Sequence, residues 1–223
     1  MTSGPQEQAQ HPVSRILIYG VTGSGKTTLA RRMGESTGLP WHSVDDLTWE
    51  PGWVAVPFDE QRRRIEEICA GEEWILDTAY GAWREIPLDR AQLIVALDYP
   101  RLLSLSRLVR RTLARLVDQR TICNGNRETV RTLFARDSIV VWHFRSFRRK
   151  RARMRAWSST PDGPAVHRFT SPRQLEDWLR HSPHPRHHPQ PATGSRTWAR
   201  TSCGCSTTSA WRAATSWGTR WAR

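Results

Sequence analysis

The sequence predicts an α/β fold in which a parallel sheet is covered by helices on both faces. Three observations lead there. Short apolar runs (Ile16-Leu17-Ile18-Tyr19, Trp74-Ile75-Leu76, Leu93–Leu97) alternate with stretches of helical period. Residues 20–27 read Gly-Val-Thr-Gly-Ser-Gly-Lys-Thr, a G-x-x-x-x-G-K-[ST] loop set directly after the first run and before a helix. Gly20, Asp45, Asp77 and Asp98 fall at or just past predicted strand ends, where open α/β sheets bind ligands.

Taken in order, the first strand is Arg15–Tyr19, and the helix after the loop ends near Gly34 or Gly38. Pro40–Val44 reads as a second strand running into Asp45-Asp46. Phe58–Ala70 carries Ile65, Ile68 and Cys69 at helical spacing and meets a stop at Gly71. Trp74–Leu76 and Leu93–Leu97 are short buried strands closed by Asp77 and Asp98. From Leu102 to about Val117 the spacing of Leu102, Leu105, Leu108, Val109, Leu113 and Leu116 predicts one apolar helix face. A second, basic helix covers Asp137 to Arg155, and Ala165–Phe169 is the last strand. Ser171-Pro172-Arg173-Gln174 is a capping box with proline at the first helical position, opening a helix over Leu175–Arg180.

The loop gives the first chemistry. Glycines let backbone N–H groups turn inward around phosphate oxygens, and the positive end of the following helix dipole points at the same anion. Gly20, Gly23, Ser24, Gly25, Lys26, Thr27 and Thr28 are therefore the candidate nucleotide contacts. Lys26 supplies a compact ammonium, and the Thr27 hydroxyl suits Mg²⁺. Lys26 and Lys150 are the only lysines in a chain otherwise using arginine.

Charge is unevenly spread. Residues 1–100 carry 9 Lys+Arg against 15 Asp+Glu, whereas 101–155 carry 16 against 3. A basic segment behind an acidic one faces polyanions, of which a triphosphate is one and DNA another. No run of eighteen apolar residues predicts a membrane span, and Met1–Pro12, a flexible polar stretch, lacks the core of a secretory signal. Cysteines 69, 123, 203 and 205 show no C-x-x-C spacing, so reduced thiols and a cytoplasmic setting are expected. The domain is expected over residues 13–182. Residues 183–223 hold no Asp, Glu, Lys, Ile, Leu, Val, Phe, Tyr or Met, and predict a disordered tail whose residue set matches GC-rich codons read out of frame. Its His184, His187, His188, Cys203 and Cys205 fit no common zinc spacing.

Asp77, closing an apolar strand, is placed to hold Mg²⁺ or to take a proton from an attacking hydroxyl. Asp45 and Asp46 either recognise the phosphoryl acceptor or cap a turn, and Trp41, Trp49 and Trp53 beside them either wall an acceptor pocket or pack. A lid over about residues 116–137, between two basic helices, would bring arginine to a transferring phosphoryl group. His143 reads as a packed or surface histidine, and Arg145–Arg155 as a solvated basic face or a DNA contact.

Four stretches together resemble the adenylate-kinase-related P-loop proteins of the DNA topology modulation type. They are Gly20-x-x-Gly23-x-Gly25-Lys26-Thr27-Thr28, Asp45-Asp46-Leu47-x-Trp49-x-Pro51-Gly52-Trp53, Trp74-Ile75-Leu76-Asp77-x-x-Tyr80-Gly81 and Leu97-Asp98-Tyr99-Pro100-Arg101. The resemblance spans roughly residues 14 to 180. It implies a three-layer αβα fold like that of nucleoside-monophosphate kinases, with a five-stranded parallel sheet and a helical lid. It also implies ATP as ligand, Asp77 on the Mg²⁺ side, and Arg107, Arg111, Arg120 and Arg127 as lid candidates. The expected activity is transfer of the ATP γ-phosphoryl group to a nucleotide or other small acceptor. A nucleotide-binding regulator touching DNA through residues 101–155, or an ATPase, are the alternatives.

Overall fold

The computed structural model describes residues 13–118, 124, 139–161 and 163–181. Its main sheet holds five strands: β1 (Arg15–Gly20), β2 (Trp41–His42), β5 (Trp74–Leu76), β6 (Leu93–Leu97) and β7 (Ala165–Phe169). Their order is β2-β5-β1-β6-β7 and every pairing is parallel. β1 lies centrally, with Leu17 opposite Leu76 on one side and Gly20 opposite Leu97 on the other. The predicted three-layer α/β fold with a five-stranded parallel sheet is what forms.

The strands read as unbroken apolar runs because both faces are covered. Successive side chains then sort by period two. Ile16, Ile18, Ile75, Val95 and Leu97 face α1 (Lys26–Thr37) and α7 (Pro172–His181), packing with Leu29, Met33 and Leu175. Leu17, Tyr19, Leu76, Ile94 and Ala96 face the other layer. That layer is built from α3 (Phe58–Ala70), α4 (Glu85–Arg90) and α6 (Ile139–Ser158), through Ile65, Cys69, Ile86 and Met154, with Trp83 just before α4. Helix α5 (Arg101–Asp118) follows β6 and packs against α6.

Local signals hold at most element ends. α3 begins and ends where the spacing predicts, at Phe58 and Ala70. Gly38 closes α1 in a left-handed conformation. At α7 the Ser171 Oγ accepts the Gln174 N–H at 3.3 Å, while Gln174 Oε1 accepts the Thr170 N–H at 2.9 Å. The capping box is therefore reciprocal, reaching one residue further back than expected.

Two expectations are corrected, and one element is added. The second strand is only Trp41–His42, because Val44–Thr48 coils into a short helix, α2, with Asp45 and Asp46 in its first turn. Carboxylates there stand at the positive end of the helix dipole. A two-stranded hairpin of β3 (Trp49–Glu50) and β4 (Val54–Ala55) follows, which the spacing did not announce. In α5 the predicted apolar face is buried only in part: Leu108 is fully buried but Leu102 is 80% exposed and Leu113 52%, while Ser104 and Thr112, outside that face, are buried. Close approach to the glycine loop selects small side chains, and a stripe chosen by hydrophobicity alone misses that.

Candidate active site

The loop joining β1 to α1 sits at the carboxyl edge of the sheet's central strand. Gly23 and Gly25 both have positive φ, at 83° and 95°. Their surroundings differ. A Cβ on Gly23 would stand 2.3 Å from the Ser104 carbonyl oxygen of α5, so that glycine allows helix and loop to touch. A Cβ on Gly25 would meet nothing within 4 Å, leaving an open cradle at the start of α1.

Lys26 turns back and donates from Nζ to the Val21 carbonyl at 3.2 Å. Burial holds its pKa below the ordinary lysine range, opposed by Asp77 and Asp45 and aided by Arg111. Thus Arg111, predicted from the lid side, does lie within electrostatic reach of the loop lysine. The Thr27 hydroxyl donates to Asp77 Oδ2 at 2.5 Å, and the Val44 N–H donates to Asp77 Oδ1 at 2.9 Å. Burial raises the Asp77 pKa, against these two hydrogen bonds. Asp77, at the end of β5, thereby ties the first turn of α1 to the first turn of α2.

The two carboxylates of the Asp45-Asp46 pair separate. Asp45 accepts a short hydrogen bond from the Tyr80 hydroxyl and contributes to the fields at Lys26 and Asp77. Burial first, and Asp45 next, push the Tyr80 pKa well above its usual value, so the phenol remains a donor. Asp46 is exposed, and its carbonyl accepts from the Asn124 amide at 2.8 Å. Only Asp45 belongs to the site; the helical turn of α2 points consecutive side chains in different directions. The tryptophans also divide. Trp41 packs against Gly34 and the core beneath α1, which removes it from an acceptor pocket, while Trp49 and Trp53 form an edge-to-face pair at 5.8 Å on the hairpin.

Helix α6 supplies what the sequence did not announce. His143 places Nδ1 3.1 Å from the Thr22 carbonyl, which fixes that nitrogen as the donor, and burial lowers its pKa. Lys150 Nζ reaches the Gly20 carbonyl at 3.5 Å, and Arg153 donates to the Tyr19 hydroxyl at 2.9 Å. Positions 143, 146, 147, 150 and 154 form one helical stripe laid along β1 and its loop, so the basic segment is not simply a solvated face. The signals were that spacing and the rarity of lysine. One residue from Lys150, Arg151 binds the fully buried Asp98 at 2.5 Å, with Arg168 at 3.0 Å and Arg155 at 3.8 Å. Asp98 thus anchors α6 to β6 and β7 rather than serving the loop.

Arg107 lies over the Tyr99 ring, 5.6 Å from its centroid. Thr28 occupies the exposed first turn of α1. Arg120, Arg127 and most of the predicted lid lie outside the described residues, as does the tail after residue 181. Among the described residues no group of three or more His, Cys, Asp or Glu is placed to hold a metal, and no helix is long and apolar enough to cross a membrane.

The oxygens available beside the loop nevertheless suit a hard cation shared with a ligand. Thr27 and Asp77 present two together, and the Gly25 cradle is open. Ser24 Oγ, Thr78 Oγ1 and His143 Nε2 are buried without hydrogen-bond partners around the same edge, which fits a polar ligand.

No family model and no curated protein matches this chain. Several solved structures resemble it. A sugar kinase from Janibacter sp. HTCC2649 is 17% identical, with TM-score 0.45 over 79% of this chain and 100% of that one. A gluconokinase from Sinorhizobium meliloti 1021 is 15% identical, with TM-score 0.45 over 77% and 90%. A shikimate kinase from Acinetobacter baumannii, in complex with shikimate, is 18% identical, with TM-score 0.47 over 75% and 91%. None of these likenesses assigns a substrate.

Proposed function

We propose that this chain is an ATP-dependent phosphotransferase that moves the γ-phosphoryl group to a nucleotide or another small hydroxyl-bearing acceptor. The observation that carries the proposal is the Thr27–Asp77 hydrogen bond beside Lys26. It sets a loop ammonium, a hydroxyl and a carboxylate around one point at the mouth of the sheet.

On ATP binding, the loop amides and Lys26 hold phosphate oxygens, with Lys26 exchanging the Val21 carbonyl for the ligand. Thr27 and Asp77 would hold Mg²⁺, which when bound offsets phosphate charge and fixes the oxygens. Asp45, oriented by Tyr80, is placed to accept the acceptor hydroxyl's hydrogen bond. The acceptor oxygen then forms its bond to the γ-phosphorus as the bridging bond to ADP breaks, and its proton passes to a carboxylate. Arg111, and lid arginines such as Arg120 and Arg127, would meet charge spread over the equatorial oxygens. A cytoplasmic location fits an ATP-dependent activity.

The DNA-contacting alternative draws less support. Lys150 and Arg153 of α6 turn to β1 and its loop, and Arg151 and Arg155 turn to Asp98. Incubation with ATP, Mg²⁺ and a panel of nucleoside monophosphates and small alcohols should give ADP release that depends on one acceptor class. Lys26→Ala should abolish it. Release independent of every acceptor would make the protein an ATPase, and no release with any of them would defeat the proposal.

A further inference from the structure

Lys150 and Lys26 rest on adjacent carbonyls. Lys26 Nζ lies 3.2 Å from the oxygen of Val21, and Lys150 Nζ lies 3.5 Å from the oxygen of Gly20. Both ammonium groups therefore stand at the entry of the phosphate loop, although 124 positions separate them in the chain (150 − 26). Lys150 also sits 5.8 Å from the Tyr19 ring centroid, at the end of β1.

This is a costly place for a second cation. Among the described residues no carboxylate lies at ion-pair distance from Lys150, whereas its neighbour Arg151 has Asp98. The charged and titratable groups around Lys150 are Lys26 of α1, Asp45 of α2, and His143, Arg149 and Arg153 of its own helix. Arg84, before α4, lies within electrostatic reach of those same two arginines. Cations outnumber the single carboxylate. Burial, with Lys26 next in weight, brings the Lys150 pKa down to about 7. An ammonium has three donors, and only one is engaged on Gly20, so two remain for ligand oxygens. Two like charges placed side by side and short of anions mark the position an anion is meant to fill.

We propose that Lys150 binds the terminal phosphoryl group of the nucleotide together with Lys26. The proposal rests on the nucleotide-binding role of the loop, and it makes α6 the third wall of the donor site. A lysine that only caps the Gly20 carbonyl would behave differently, because its loss would weaken the fold and affect ADP and ATP alike.

Calorimetric titration of the full chain with Mg·ATP and with Mg·ADP at pH 8, in two buffers of different ionisation enthalpy, tests this. At that pH the phosphates are ionised, since their second pKa lies near 6. Wild-type protein should take up a proton on binding ATP, because the anion restores charge to Lys150. Lys150→Met should lose that uptake and weaken ATP roughly tenfold or more, with ADP changed less than about threefold. Its unliganded thermal midpoint at pH 6 should be no lower than wild type, since an unpaired cation has gone. Lys150→Arg covers the case in which methionine is not tolerated: it should keep ATP binding without the proton uptake.

Equal weakening of ADP and ATP, wild-type affinity in Lys150→Met, or uptake that survives in Lys150→Arg would overturn the role of Lys150 alone. Wild-type protein that binds neither nucleotide would overturn the donor-site assignment itself.

Discussion

Thr27 donates its hydroxyl to Asp77 at 2.5 Å, joining residues fifty apart in sequence. The bond crosses between neighbouring strands, because β5 pairs with β1 and both end at the same edge of the sheet. Asp77 is nearly inaccessible, at 2% exposure, yet it sits where a phosphate-bound cation would be held.

Asp77→Asn separates the two consequences of that burial. Phosphoryl transfer should fall by about a hundredfold or more, measured as acceptor-dependent ADP release. Stability should not fall with it. Burial raises the Asp77 pKa above its ordinary 3.8, so the folded protein holds a proton that the unfolded chain has released. That contribution is present at low pH and is lost as pH rises from about 4 through the raised pKa. At neutral pH the wild-type carboxylate is therefore a burden, and Asp77→Asn should be no less stable than wild type in denaturant unfolding. A loss of stability at pH 7 would contradict this account.

Gly23 and Gly25 predict a contrast. Gly23→Ala forces a methyl onto the Ser104 carbonyl and Leu108 of α5, at a backbone φ that alanine disfavours. It should cost about 2–4 kcal/mol by urea denaturation. Gly25→Ala meets open space, so only the φ of 95° opposes it, at about 1–2 kcal/mol. The Gly25 variant should fold but lose ATP binding, because its methyl fills the phosphate cradle.

Helix α5 distinguishes burial from hydrophobic spacing. Leu108→Ala removes a fully buried side chain beside Gly23 and should cost about 2–4 kcal/mol. Leu102→Gln, on the exposed side, should change stability by less than about 0.5 kcal/mol. Paired thermal melts of the two variants give the comparison, and equal losses would mean that Leu102 is as buried as Leu108, against the structure.

Asp98 gathers Arg151, Arg168 and Arg155 around a carboxylate with no exposure. Asp98→Ala leaves these cations without their acceptor, although each is partly solvated and can turn outward. The expected loss is about 2 kcal/mol. Because α6 carries Lys150, the loosened helix should also weaken ATP binding, and Lys150→Met should add little further in the Asp98→Ala background.

The legible parts of this molecule were those fixed by local chemistry. Phe58–Ala70 declared its own ends through its apolar spacing and the following Gly71, and Ser171–Gln174 declared a helix start. The loop motif marked the turn into α1, since glycine at positive φ is needed there whatever surrounds it. Asp45 and Asp46 were marked as a pair but not told apart, because adjacent residues diverge once the chain coils into α2. Burial of Ser104 and Thr112 on α5 was not legible for a similar reason: spacing reports hydrophobicity, while Gly23 decides how close a helix can come.

By itself, then, the sequence determined a parallel α/β sheet and a glycine-rich turn between its first strand and the following helix, because strand burial, glycine conformation and helix capping act over a few residues. Only the tertiary structure decided which charges share the site. Lys150 and His143 on α6, Asp45 on α2 and Asp77 after β5 meet the loop because β1 lies at the centre of the sheet. Electrostatic fields act through space over a few ångströms, and chain separation carries no information about that distance.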